Sequence, residues 1–398
     1  MARTNLATIA RRRLYSFARH LGNPFPDSRR QRFVADMIAG LVVANHVHLS
    51  KVARALGSGD DDIHTAEKRL SLHLGSAHWD PSPLADDLLR RSASVVTADT
   101  LLVADLSDLA KDYAKKLEGL GTVRDGSDPH KRLTKGYMLF EAYVRVGRWQ
   151  LFPLRLELLR TYAGTATSEN AEILDHMQRL HEAVGRQGTW LLDRGFDRRN
   201  LFRPLLGAGI AFVARLIGSR NVRLAGGQVL RVRALAEQLR PAPRPWPRRG
   251  RTVTCPVRLP GLEEEFLVVV HWRWPNSKPL LLLVSPQARR PNRNGRWYVR
   301  AYHRRWGVED ATRGLKQQFS LESFLVRSWR SLQRLLWLVG WAFYWLNLWG
   351  ETSYERLREA LMGHRWRLPK EVVYVFDWIA YMLHRLLHPR PKIYLDPG

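Results

Sequence analysis

One cysteine, Cys255, stands in 398 residues, which excludes an internal disulfide and any zinc site built on several thiolates. A bilayer span needs roughly 20 apolar residues, and the longest such run, Leu335 to Leu346, is shorter. The basic start, Met1 to Arg13, has no apolar stretch of the kind a secretory signal carries. Acidic residues are also scarce: 37 Asp+Glu face 64 Lys+Arg, giving a net charge of +27 and a pI near 10.9. An excess of that size repels itself unless a polyanion offsets it, so nucleic acid or an anionic membrane is the expected partner. What is present is globular in kind, with 45% hydrophobic and 25% charged residues. The length suggests two or three domains. The expectation is a cytoplasmic protein that binds a polyanion, with no membrane association.

Hydrophobic periodicity divides the chain. A helix is predicted from Ala35 to Leu56. After the Gly57-Ser58-Gly59-Asp60 interruption, a basic helix runs from Ile63 to Leu74 behind the acids Asp60 to Asp62, which suit a helix N-terminus. Helix, short break and basic helix fit either a DNA reader, whose second helix enters the major groove, or a plain helical hairpin. From Thr100 the pattern becomes extended: "LLVADLSD", "YMLFEAYVRV" and "WQLFPLRLELL" read as strands. A helix follows from Asn170 to Val184, then strand "TWLLD", a helix from Arg198 to Leu206 and strand "IAFVARLIG". Three antiparallel strands followed by parallel strands with helices between them predict an α/β, ribonuclease-H-like core. The Pro/Arg-rich "RPAPRPWPRRGR" can continue neither a helix nor an inner strand, and the apolar runs around it predict a β-rich insertion. The expected division is a helical DNA-binding domain at 1–97 and the core at 98–220 and 298–350. The insertion occupies 221–297, and C-terminal helices 351–398, including "YVFDWIAYMLHRLLH".

Two acids, Asp105 and Asp193, end predicted strands, where a sheet fixes the position of a functional side chain. Asp108 lies further along and could cap the next segment. In "YVRAYHRRWGVEDATRGLKQQF", an uninterrupted helix would carry Tyr302, Arg305, Glu309 and Lys316 in one stripe about 60° wide. A Glu with Arg one turn before it and Lys two turns after it stays ionised, and the cations attract phosphate; a solvated salt-bridge face is the alternative. From Ser285 to Arg334 twelve basic residues face three acids, an excess that suits a DNA groove. The "HVH" at 46–48 has no third ligand at useful spacing and is read as structural.

Tyr302-x2-Arg305-x3-Glu309-x6-Lys316 resembles the Y-R-E-K signature of a large family of DDE transposases from bacterial insertion sequences. Asp193-Arg194-Gly195-Phe196 is similar to that family's second-acid motif, with Phe196 where Tyr is common. "DLSD" at Asp105 resembles its first-acid strand. The resemblance covers about residues 98–350. It implies metal-dependent cleavage and transfer of DNA strands in cut-and-paste transposition. Asp105, Asp193 and Glu309 are then catalytic and hold two Mg²⁺ or Mn²⁺ ions, with Asp105 bridging the pair. Hard divalent ions take oxygen donors, which suits three carboxylates. The resemblance further implies that Arg305, Lys316 and Arg313 grip phosphates and that Tyr302 touches DNA. Trp272 and Trp274, expected on one face of a strand, are core residues or, as in that family, candidates to stack on a flipped base at a hairpin end. The partners implied are double-stranded element ends and target DNA, bound by a homodimer in a synaptic complex. An inactive descendant that only binds DNA and a nuclease of the same fold that does not join strands are the alternatives.

Overall fold

The computed structural model describes residues 2–57, 62–124, 132–147, 150–163, 168–242 and 246–362, with isolated positions at 130, 379, 380, 383, 384, 386 and 387. Five helices come first: α1 (Ala2–Gly22), α2 (Ser28–Ala44), α3 (Leu49–Ala55), α4 (Ile63–Gly75) and α5 (Ser82–Ala93). The single helix expected from Ala35 to Leu56 is in fact two. Asn45 closes α2 with φ of 51°, a left-handed conformation that Asn tolerates, and its backbone N–H caps the Leu41 carbonyl. The expected break and basic helix correspond to the end of α3 and to α4, although residues 58–61 lie outside the described ones. Among the described residues no single helix is long and apolar enough to cross a membrane.

The sheet begins with β1 (Leu101–Ala110), β2 (Gly121–Arg124), β3 (Leu133–Val146) and β4 (Gln150–Leu158). There follow α6 (Glu169–Ala183), β5 (Thr189–Leu192), α7 (Arg199–Gly207) and β6 (Phe212–Arg215). Strand β3 pairs antiparallel with β1, and on its other edge with β2 and β4. Beyond β1 the sheet turns parallel, through β5 to β6.

The β-rich segment contains β7 (Asn221–Arg223), β8 (Val229–Arg231), α8 (Val232–Gln238), β9 (Arg251–Arg258), β10 (Glu265–Trp272) and β11 (Leu280–Val284). Strand β11 pairs with β6, and β10, β9, β7 and β8 continue outward. The segment expected as an insertion therefore extends the core sheet. Trp272 is the last residue of β10, so Trp272 and Trp274 do not share a strand face as expected. The strand stops because Trp274 enters a turn, with Ser277 Oγ accepting from the Trp274 N–H at 3.0 Å and Pro275 between them.

The chain ends in α9 (Gly295–His303), α10 (Trp306–Arg313) and α11 (Trp329–Met362). The helix expected to run unbroken through the Y-R-E-K residues breaks at Arg304–Arg305, and a π-helical turn at Gly314–Gln318 follows α10. At Gly307 a side chain would collide with Arg145 and Leu151, so the break lets the backbone lie close on the sheet. Most of the expected C-terminal helix "YVFDWIAYMLHRLLH" lies outside the described residues. Alternation along β1 divides the interior: Leu102 and Ala104 face a core with α6, α7 and α8, whereas Val103 and Leu109 face one with α1–α4 and α9–α11.

Candidate active site

Asp105 follows Ala104 in β1, so the pleat turns it to the side where α9 and α10 lie. Asp193 follows Leu192 at the end of β5. Strand β1 continues past Asp105 to Ala110, so Asp105 does not end its strand, contrary to expectation. Strands β1 and β5 are adjacent and parallel with Ala104 opposite Leu192, which sets Asp105 beside Asp193, the residue that follows β5. Immediately after Asp193, Phe196 is buried in the far-side core and pins the turn that carries the acid.

The third carboxylate comes from α10, and Arg305 collects all three. Its Nη1 lies 3.0 Å from Asp105 Oδ2, and its Nη2 lies 2.8 Å from Glu309 Oε1 and 3.7 Å from Asp193 Oδ1. The guanidinium is almost wholly buried, while half of the Glu309 side chain remains exposed, so the cluster opens on the Glu309 side. Tyr302 hydroxyl donates to Asp193 Oδ1 at 3.4 Å, and burial pushes that phenol up to about 12, which keeps it a donor. Burial raises the Asp105 carboxyl to about 7; Arg305 opposes the rise, and Asp193 and Glu141 add to it. Burial disfavours the charge on Arg305, but Asp105, Tyr302, Asp193 and Glu309 together hold it above its ordinary value.

Three hard oxygen donors gathered about one positive charge are the right donor chemistry for Mg²⁺ or Mn²⁺. As placed, no three acidic, imidazole or thiol side chains among the described residues are close enough to share an ion. The Arg305 guanidinium occupies the middle of the acids, and its buried Nε has no hydrogen-bond partner among the described residues. The donor set is of the chemical kind a divalent ion takes, and in this arrangement Arg305 is the charge that neutralises it.

Lys316 does not join Glu309, because it lies in the π turn that follows α10 and departs from the regular helical repeat. Its Nζ lies 3.3 Å from Asp108 Oδ2 and 3.1 Å from Glu322 Oε1; burial opposes its charge, and these acids outweigh burial and raise its pKa. Asp108, read from sequence as a possible cap, is buried and supplies half of that site. Arg313, half-buried, stands one turn beyond Glu309 on α10. Trp272 is fully buried, with its Nε1 unpartnered among the described residues and Arg240 over its ring at 5.6 Å, so it packs the far-side core. Trp274 and Trp306 are each half exposed.

Glu141 gives no sign in the sequence, because a single acid in "YMLFEAYVRV" reads as the polar face of a strand. The register places it directly opposite Asp105 with no exposed surface. Its carboxyl accepts from Ser107 Oγ, from Tyr143 hydroxyl at 2.6 Å and from Thr312 Oγ1 at 3.2 Å; burial raises its pKa despite these hydroxyls.

Residues 154–345 match the family model for a transposase DDE domain. The matched segment begins after Asp105 and includes Asp193, Arg305, Glu309 and Lys316. No curated protein matches the chain. Among solved structures, a piggyBac transposase synaptic complex with hairpin DNA aligns over 97% of this chain and 84% of that one. The identity is 14% and the TM-score 0.45, too distant to assign fold or function.

Proposed function

We propose, from the match of residues 154–345 to a transposase DDE domain, that this protein binds the ends of a DNA element, cuts them and joins them to target DNA. The observation that carries the reading is the convergence of Asp105 in β1, Asp193 just after the neighbouring β5 and Glu309 from a short helix on the Arg305 guanidinium. The strand order β4-β3-β1-β5-β6, antiparallel and then parallel, supports a ribonuclease-H-like core at 98–220 and 298–350. The helices of 1–97 read DNA, and the segment 221–297 widens the platform.

Divalent ions, Mg²⁺ or Mn²⁺ as a pair, would supply an activated attacking oxygen and a stabilised leaving oxygen at the scissile phosphate. Asp105, Asp193 and Glu309 would hold that charge, and the Tyr302 hydroxyl orients Asp193. Arg305 is neutralised by the acids, and it reaches a phosphate oxygen by giving up their carboxylates. Lys316 and Arg313 bind the backbone to either side, and a homodimer would hold two ends together.

The test is incubation of the full chain with candidate end DNA, with Mg²⁺ or with EDTA, and strand products read on a denaturing gel. A pre-cut 3′-hydroxyl end joined to plasmid is the expected product. Asp105→Ala, Asp193→Ala and Glu309→Ala should each abolish cutting while end binding persists. Substantial Mg²⁺-dependent cutting by Glu309→Ala would overturn the assignment, and cutting without joining would reduce the protein to a nuclease.

A further inference from the structure

We propose that Glu141 and Thr312 form a positioning strut that fixes α10 against β3 and, through the β1–β3 pairing, sets where Glu309 stands relative to Asp105. The inference rests on the transposase reading for its consequence, but the strut is defined by geometry alone. Glu141 is opposite Asp105 in the β1–β3 register and has no exposed surface. Two of its hydroxyl partners, Ser107 and Tyr143, belong to the sheet. The third, Thr312, belongs to α10 and lies 3.2 and 3.3 Å from the two carboxyl oxygens. Thr312 is three residues after Glu309, about one turn along the same helix.

The surroundings of α10 explain what such a tether does. The helix has eight residues and lies between the break at Arg304–Arg305 and the π-helical turn at Gly314–Gln318. Neither end is stiffened by a regular continuation. Val308 and Ala311 bury apolar surface, which holds the helix down but leaves rotation and sliding weakly opposed. A buried carboxyl is costly in an apolar core, and an apolar side chain would fill the same space at less cost. What an apolar residue does not provide is a directional bond from α10 to β3, whose Glu141 is in turn bonded by Ser107 of β1, the strand that carries Asp105.

Two measurements on the full chain test this, without DNA. Hydrogen exchange over residues 306–313 reads the tether, and Mn²⁺ binding followed by electron paramagnetic resonance reads the acids. Thr312→Val, which keeps the shape and removes the hydroxyl, should speed exchange across α10. It should also weaken Mn²⁺ affinity by roughly 10- to 100-fold, the usual loss when a group that orients metal ligands is removed. Thr312→Ser should restore both. Glu141→Gln should retain much of each, since the three hydroxyls can accept as well as donate, whereas Glu141→Ala should behave like Thr312→Val. Should Glu141→Ala fail to fold, the Thr312 pair carries the test unaided. Exchange and Mn²⁺ affinity both unchanged in Thr312→Val would overturn the strut. Accelerated exchange in Thr312→Val, with Mn²⁺ binding that Asp105→Ala and Glu309→Ala leave intact, would retain the strut and overturn the three-acid reading instead.

Discussion

Arg305 serves three carboxylates with one guanidinium, and its removal leaves each of them short of a partner. Arg305→Ala should destabilise the ion-free protein by about 1–3 kcal/mol, the cost of leaving buried groups unsatisfied. The value falls short of that for a fully dry ion pair because the Asp193 and Glu309 side chains reach solvent, being 33% and 50% exposed. Mn²⁺ should then raise the melting temperature of Arg305→Ala by more than that of the unaltered chain, since the position is already vacated. Equal shifts in a thermal melt would show that Arg305 and the ion do not compete. At this scale the sequence is informative about residues whose position follows from local pattern. Asp193 stands at a strand end, and Glu309 and Arg305 are one helical turn apart; Asp105 is legible as a strand residue, although β1 continues past it to Ala110. Glu141 is invisible because its meaning depends on which β1 residue lies across from it, and register is a long-range property. The Lys316–Asp108 pair is hidden for the same reason.

Among the elements, α10 shows where periodicity misleads. An unbroken 3.6-residue repeat from Tyr302 to Lys316 places four side chains in one stripe, but the chain breaks to bring its backbone over the sheet, and Lys316 moves to a second acid pair. The end of β10 is a similar case: alternation pairs Trp272 with Trp274, whereas a Trp-Pro-Asn-Ser turn sends one inward and the other out. Trp272→Ala should cost about 3–5 kcal/mol in denaturant unfolding, and Trp274→Ala should leave the curve unchanged. Equal effects would contradict the divergence. On α6, His176 stacks on Phe140 with ring centroids 5.0 Å apart, and burial pushes its imidazole down to about 4. An unfolded histidine titrates near 6.5, so the native state binds the proton less readily. The stability this group contributes is present above about 6.5 and is lost as pH falls toward 4. His176→Phe should therefore flatten part of the decline in melting temperature between pH 7 and pH 4.5. An unaltered decline would show that the ring titrates as it does in water.

The whole molecule carries +27, and the stretch from Ser285 to Arg334, which includes Arg305 and Glu309, has twelve basic residues against three acids. If DNA neutralises about six charges, log K should fall with log salt at a slope near −5. A slope near zero in a filter-binding titration would assign the charge to another task. The other molecular-scale feature is the way the N-terminal helices are fastened. Val47 N–H donates to the Phe319 carbonyl at 2.8 Å, and Asn45 Nδ2 donates to Gln318 Oε1 at 2.9 Å, in the turn that follows α10. Arg334 on α11 reaches the Leu74, Ser76 and Trp79 carbonyls, and α1, α2 and α4 share one core with α11. The sequence suggests a boundary at residue 97, but buried contacts span it. Under the proposed function, a DNA reader fastened in this way is not a cassette. Lineages that shuffle recognition modules between catalytic engines need a linker at which to cut, and here the same cut would open the engine. New sequence preferences would have to arise through point changes on exposed faces such as that of α4, with the frame beneath them kept whole.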